Sequence, residues 1–233
     1  MHAIYLAIRE QLSPEEAREL NALYLESRRQ NRKTTRLFWT LREWSQNAAA
    51  IAGWSPQRTA ENALRAVANW AKTQPDPADT LAALSGVEWR LGVWCACDML
   101  QRSMGAIPAG TRARAKVLLG AAREFARDGK AIKQELVREF AYPAETPDQV
   151  ITHSRVALRE LVDGCRFAPG YSDREGWLWT GEFVPTELAV VASHVVLPSG
   201  ESSFDRVKIK AELARFASEI PRSVLTYSTL WWD

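Results

Sequence analysis

Residues 87–104 read VEWRLGVWCACDMLQRSM, and their reading decides the fold. Wound at 3.6 residues per turn, Leu91, Val93, Trp94, Cys97, Leu100 and Met104 surround the cylinder and leave it no broad polar side. A helix that is apolar all round is one enclosed by its neighbours. The pattern therefore predicts a central helix in a mainly helical protein. Asp98 and Arg102 stand one turn apart on it, spaced to pair with each other.

Outward from this segment, helix starts recur. Ser13-Pro14-Glu15-Glu16 supplies a capping hydroxyl, a proline for the first helical position and a glutamate at the third. Ser55-Pro56 and Thr146-Pro147-Asp148 repeat the cap-then-proline signature, and Thr111 is placed to cap a further helix. The helix after Thr146 is expected to stop at Gly164 in the left-handed conformation. Apolar spacing agrees: Leu20, Leu23 and Tyr24; Leu64, Val67 and Ala71; Ile151, Leu158, Leu161 and Val162. Residues 62–72 and 117–127 also share a pattern of alternating small and large residues closed by aromatic-Ala-basic. That pattern fits either a long helical repeat or independent amphipathic helices.

Beyond Gly164 the texture changes. Residues 165–176 read as a loop and 176–184 as extended chain. Residues 186–197 fit either a capped helix or, through their valines, a strand. Residues 203–219 read as a helix stopped by Pro221, and 223–232 as β-prone chain that pairs with 176–184. The fold class predicted is mainly α, a multi-helix bundle or irregular helical-repeat array with a small mixed α/β C-terminal element. Its division is a helical domain over 1–164 and a smaller element over 165–233 packed on it.

Composition narrows function. The chain has 233 residues, 46% hydrophobic and 25% charged, as in ordinary globular proteins. With 30 basic against 28 acidic residues, no global field selects nucleic acid or an anionic membrane. The opening MHAIYLAIRE has no basic leader, and Arg9 and Glu10 break its apolar stretch. The apolar run 188–197 falls well short of the roughly 20 residues that span a bilayer. Three cysteines make no disulfide framework and suit a reducing compartment. These features predict a cytoplasmic protein without a membrane partner.

Catalytic and metal chemistry find little footing. Cys95 and Cys97, two apart, point to opposite sides of a helix and cannot share an ion there. Cys165 and the histidines follow no ligand spacing. His153 stands beside Ser154, but adjacency does not build a nucleophile–base pair. His194 lies among Val and Ala, and His2 at the start of the chain. A P-loop, a nucleophile elbow, a zincin helix and a dinucleotide fingerprint are all missing from the sequence. No catalytic residue, metal or cofactor is predicted. An enzyme of unidentified class is the third reading, and a pocket placing His153 or His194 beside a carboxylate would support it.

Two local features point to macromolecules. Arg28, Arg29, Arg32, Lys33 and Arg36 fall in a run without acids, followed by Phe38, Trp39 and Arg42. Cations beside aromatics suit phosphate contact with base stacking, so Arg28, Arg29, Arg32, Lys33, Arg36, Trp39 and Arg42 are candidate nucleic-acid contacts. Residues 110–138 add Arg112, Arg114, Lys116, Arg123, Arg127, Lys130, Lys133 and Arg138. Of the ten tryptophans, Trp177 with Trp179 and Trp231 with Trp232 lie in less regular chain and are candidate protein-interface residues.

Trp94, Cys97-Asp98, Arg102, Pro108, Arg112, Arg114 and the stretch 121–127 resemble bacterial immunity proteins built from helical repeats, over about residues 90–129. The resemblance implies a helical scaffold that binds a partner and catalyses nothing. The leading expectation is thus a non-enzymatic binding protein of a bacterial-type cytosol, acting by protein–protein interaction in an immunity- or inhibitor-like role. Binding of nucleic acid or a nucleoprotein complex through 28–42 is the alternative.

Overall fold

The computed structural model describes residues 9, 12–30, 50–53, 56–141, 146, 148–166, 181–199 and 201–227. The helices with both ends among these residues are α1 (Pro14–Gln30), α2 (Pro56–Ala71), α3 (Pro77–Val87), α4 (Trp89–Ser103), α5 (Ala109–Asp128), α6 (Gln134–Ala141), α7 (Gln149–Gly164), α8 (Phe183–Ala192) and α9 (Arg206–Thr226). Between α8 and α9 lies a two-stranded antiparallel sheet, β1 (His194–Val196) with β2 (Ser202–Phe204), in which His194 faces Phe204 and Val196 faces Ser202. The protein is mainly helical with one small sheet near its C-terminus. Among the described residues no helix is long and apolar enough to cross a membrane.

The apolar segment becomes the hub, with one change. Glu88 adopts an extended conformation (φ −139, ψ 97) and ends α3, while its carboxylate accepts from Arg90 N at 3.3 Å to start α4. A buried carboxylate thus divides what the apolar pattern reads as continuous. From Trp89 onward α4 packs against α3, α5, α7, α8 and α9. Leu91, Val93, Ala96, Cys97 and Leu100 are buried within it.

The α3–α4 crossing is close. A Cβ added to Gly92 would lie 2.0 Å from Ser85 Oγ and 2.9 Å from Ser85 Cβ. Only a residue without a side chain lets the two helices meet there. Helices before and after residue 165 share one core, in which Val184, Leu188, Phe216 and Ile220 pack with Leu20, Leu81, Leu118 and Leu158.

Helix termini follow the local sequence chemistry at the start of α1 and depart from it elsewhere. Ser13 and Glu16 form the reciprocal box, Ser13 N donating to Glu16 Oε2 at 2.7 Å and Glu16 N to Ser13 Oγ at 3.3 Å. Thr111 caps nothing, because α5 starts earlier and the Pro108 carbonyl accepts from Thr111 N and Arg112 N, both at 2.9 Å. Asp148, not Thr146, caps α7, accepting from Val150 N at 2.9 Å and Ile151 N at 3.2 Å. Gly164 is the last residue of α7 but is not left-handed; its carbonyl accepts Trp89 Nε1 at 2.6 Å, so α4 caps the helix end. The left-handed glycine stop belongs to α5, at Gly129 with φ 70. In α1, Leu20 is fully buried whereas Leu23 is exposed.

The C-terminal third departs further from its sequence pattern. Gly181 is left-handed, and Phe183 and Val184 open α8 instead of extending a strand. The 186–197 stretch is both of its expected alternatives in turn, helix to Ala192 and then β1. Ser203 lies in β2, and Asp205 caps α9 through Val207 N at 2.8 Å and Lys208 N at 3.2 Å. Pro221 sits inside α9 without ending it. The roughly 3 kcal/mol that an interior proline costs is offset by its own burial with Ile220 and Val224. Residues 223–226 are accordingly helical, and the sheet partner of β1 is β2. The similar stretches 62–72 and 117–127 pack differently, the first mainly on α9 and the second on α4 and α7.

Replacing Gly92 with Ala is expected to destabilise the protein by about 1–3 kcal/mol, as overpacking does. Urea denaturation reads this, and in a Ser85→Gly background the penalty should shrink. An unchanged penalty in that background would place the cost elsewhere.

Candidate functional site

The candidate contacts read from sequence fall largely beyond what the structure describes. Arg28 and Arg29 lie on α1, but their side chains are outside the described residues, as are Arg32, Lys33, Arg36, Trp39, Arg42, Trp177, Trp179, Trp231 and Trp232. The second basic stretch is described, and most of it is occupied internally. Arg114 holds Glu139, whose carboxyl is thereby kept below its ordinary range, and Arg127 holds Asp128. Lys130 reaches Glu124 at 2.7 Å. Arg112 donates to the Ile107 carbonyl at 3.1 and 2.8 Å and to the Gly105 carbonyl at 2.8 Å. Cations spent in this way are poorly placed to meet phosphates.

Of the residues that carry the resemblance, Trp94, Asp98, Arg102 and Arg123 lie on a seam between α4, α5 and α9. Arg123 Nη2 reaches Asp98 Oδ1 at 2.9 Å, and its guanidinium lies 6.0 Å from the Trp94 ring centroid. Tyr227 meets Trp94 edge-on at 6.0 Å and donates to the Ala126 carbonyl at 3.3 Å. Asp98 and Arg102 therefore do not pair with each other: Arg102 Nε lies 3.0 Å from Glu219 Oε2 on α9. Both side chains leave the α4 surface toward neighbouring helices, where each finds an opposite charge. Glu219 also faces Arg215, which holds Glu212. The Asp98–Arg123 and Arg102–Glu219 pairs link helices, the Arg215 pairs lie within α9, and both acids of α9 are engaged in one or the other.

His153 and His194 both lie against Phe204, which nothing in the sequence signalled because the elements involved are separate. Glu187 Oε2 on α8 accepts from His153 Nδ1 on α7 at 2.6 Å. Phe204 of β2 meets the His153 ring edge-on at 5.3 Å and the His194 ring at 6.0 Å, and His194 Nε2 lies 3.2 Å from Ser202 Oγ. A carboxylate that orients an imidazole is half of a nucleophilic site. Ser154, its neighbour in sequence, does not supply the other half, because it is buried and donates to the Val150 carbonyl at 2.7 Å. Among the described residues no hydroxyl or thiol is bonded to His153, so the geometry ties the hairpin to α7 and α8. Cys95, Cys97 and Cys165 are buried free thiols whose ionisation burial pushes up. No metal-binding group of His, Cys, Asp and Glu occurs among the described residues.

The surface that stands out is the outer side of α9 with the hairpin before it. Val207 is 77% exposed and Leu225 52%, and on the hairpin Val196 is 67% exposed with its neighbour Leu197 also exposed. Val207 and Leu225 are about five turns apart and share one line along the helix, at roughly 27 Å. Ala211, Ala214 and Ser218 fill that line and are also exposed. Arg206, Lys208, Lys210 and Arg222 flank it, exposed and without an ion pair among the described residues. The helical pattern alone could not show this face, since it resembles any solvated one until the neighbours are placed.

Comparison with known proteins finds no matching family model, no matching curated protein and no matching solved structure.

Near the C-terminal end of α7, burial raises the Glu160 carboxyl to about 7, with Asp163, Glu182 and Glu187 adding repulsion and Arg159 opposing it. A folded-state value above the unfolded one means that stability falls as pH climbs from the ordinary glutamate range toward 7. Glu160→Gln should be more stable than the wild type by about 1 kcal/mol at about pH 8, after allowing for solvent screening. Near pH 5 the two should differ little. Urea denaturation at both pH values reads this, and a pH-independent difference would contradict it.

Proposed function

We propose that the chain is a non-enzymatic helical scaffold that binds another protein, in the manner of an immunity or inhibitor protein. The observation that carries this reading is the exposed line from Val207 to Leu225 on α9, with Val196 and Leu197 on the adjoining hairpin. Single exposed apolar residues are ordinary, but here Val207 and Leu225 end one exposed face of α9 whose middle is the small Ala211, Ala214 and Ser218, a shape that a second helix can pack against. Catalysis is less well supported, because the His153–Glu187 pair has no nucleophile bonded to it among the described residues. The partner is a protein. The nucleic-acid alternative through 28–42 rests on residues beyond those described, so the test is built to expose it.

Immobilised protein exposed to a lysate of its source should retain a discrete protein at low and high salt, eluting with a 260/280 nm ratio typical of protein. The double substitution Val207→Asp, Leu225→Asp should lower retention at least tenfold, about 1.4 kcal/mol. Its stability should change by about 0.5 kcal/mol or less, since both side chains are exposed. Retention that the double variant leaves unchanged, or a nucleic-acid ratio removed by salt, would contradict the reading.

A further inference from the structure

The first turns of α9 break two rules of helix electrostatics. Residues 206–211 read RVKIKA, with three cations and no acid. A helix N-terminus carries positive partial charge and favours acids, and Arg206 and Lys210 are like charges one turn apart. The nearby carboxylate, Asp205, is engaged in capping Val207 N and Lys208 N. Further along, Glu212 and Glu219 are held by Arg215 and Arg102. Among the described residues three cations thus stand beside a single carboxylate at this end of the helix, a net positive charge. Such an arrangement costs stability in the free protein and is relieved by a negative partner.

We infer that the partner seats an acidic amphipathic helix along the outer face of α9, its carboxylates meeting Arg206, Lys208 and Lys210. This rests on the protein-binding reading above and adds the partner's chemistry. Shape supports a helix as occupant. Ala211, Ala214 and Ser218 let a second backbone approach closely, while Val207 and Leu225 provide bulk at either end. Charge supports acids at one end of that helix, where α9 begins. A membrane surface would call for a broad band of bulky apolar residues, and the middle of this face is small. A phosphate backbone would call for cations along the whole length, and beyond Lys210 the exposed unpaired cation on this face is Arg222.

The test uses the full chain and two synthetic helical peptides of equal apolar content, one with glutamates at one end and one with lysines in their place. By fluorescence anisotropy the acidic peptide should bind at least tenfold more tightly than the basic one. Its affinity should fall at least fivefold between about 50 and 500 mM salt. Arg206→Glu, Lys208→Glu and Lys210→Glu together should reverse the preference, while the melting temperature stays level or rises because the helix start gains favourable charge. Equal binding of both peptides, unmoved by the triple reversal, would overturn the acidic partner and leave the protein-binding face standing. Failure of both peptides to bind would overturn the helical occupant. Tighter binding to phosphatidylglycerol vesicles or to duplex DNA than to the acidic peptide would overturn both this inference and the proposed function.

Discussion

Everything in the fold depends on enclosing α4. Its apolar side chains point in every direction, so one neighbouring helix cannot cover it, and five do. Burying a Leu or Val side chain stabilises by about 1.5–3 kcal/mol. Leu91, Val93 and Leu100 thus supply much of the reason for α3, α5, α7, α8 and α9 to converge. The constraint reaches down to single atoms. Gly92 must lack a side chain because Ser85 occupies that space, and Trp89 ties α4 to the end of α7 by donating to the Gly164 carbonyl.

This demand also explains the distribution of charge. Ion pairs between exposed groups contribute little, about 0–1 kcal/mol, but they reveal which charges already have partners. Asp98 with Arg123 and Arg102 with Glu219 link the hub to α5 and α9. The basic stretch along α5 is likewise largely self-satisfied. Arg206, Lys208 and Lys210, where α9 begins, are among the exposed cations that have no ion pair among the described residues. The same helix that buries Phe216, Ile220 and Val224 on one side presents Val207 and Leu225 on the other. Its inner face belongs to the fold and its outer face is exposed.

Much of the helical architecture was legible in sequence because its signals are local. The Ser13–Glu16 box, the apolar segment around α4 and the spacing of Leu64, Val67 and Ala71 need only neighbours one or two turns away. Failures came where a distant group overruled a local preference. Gly164 did not need the left-handed conformation because an indole from α4 took its carbonyl. Pro221 did not stop α9 because burial outweighed its cost. Asp98 and Arg102 ignored each other because better-placed charges stood on α5 and α9. The meeting of His153 with Glu187, and the exposed line on α9, are long-range outcomes with no local signature at all.

The central claim is that the outer face of α9 meets another protein. Site-specific photocrosslinking in living cells tests it most directly, with a photoreactive residue at position 207 and a control at the exposed Val117 on α5. The account predicts a discrete crosslinked protein from position 207 and none from position 117. Identical patterns from both positions, or no adduct from position 207, would contradict it.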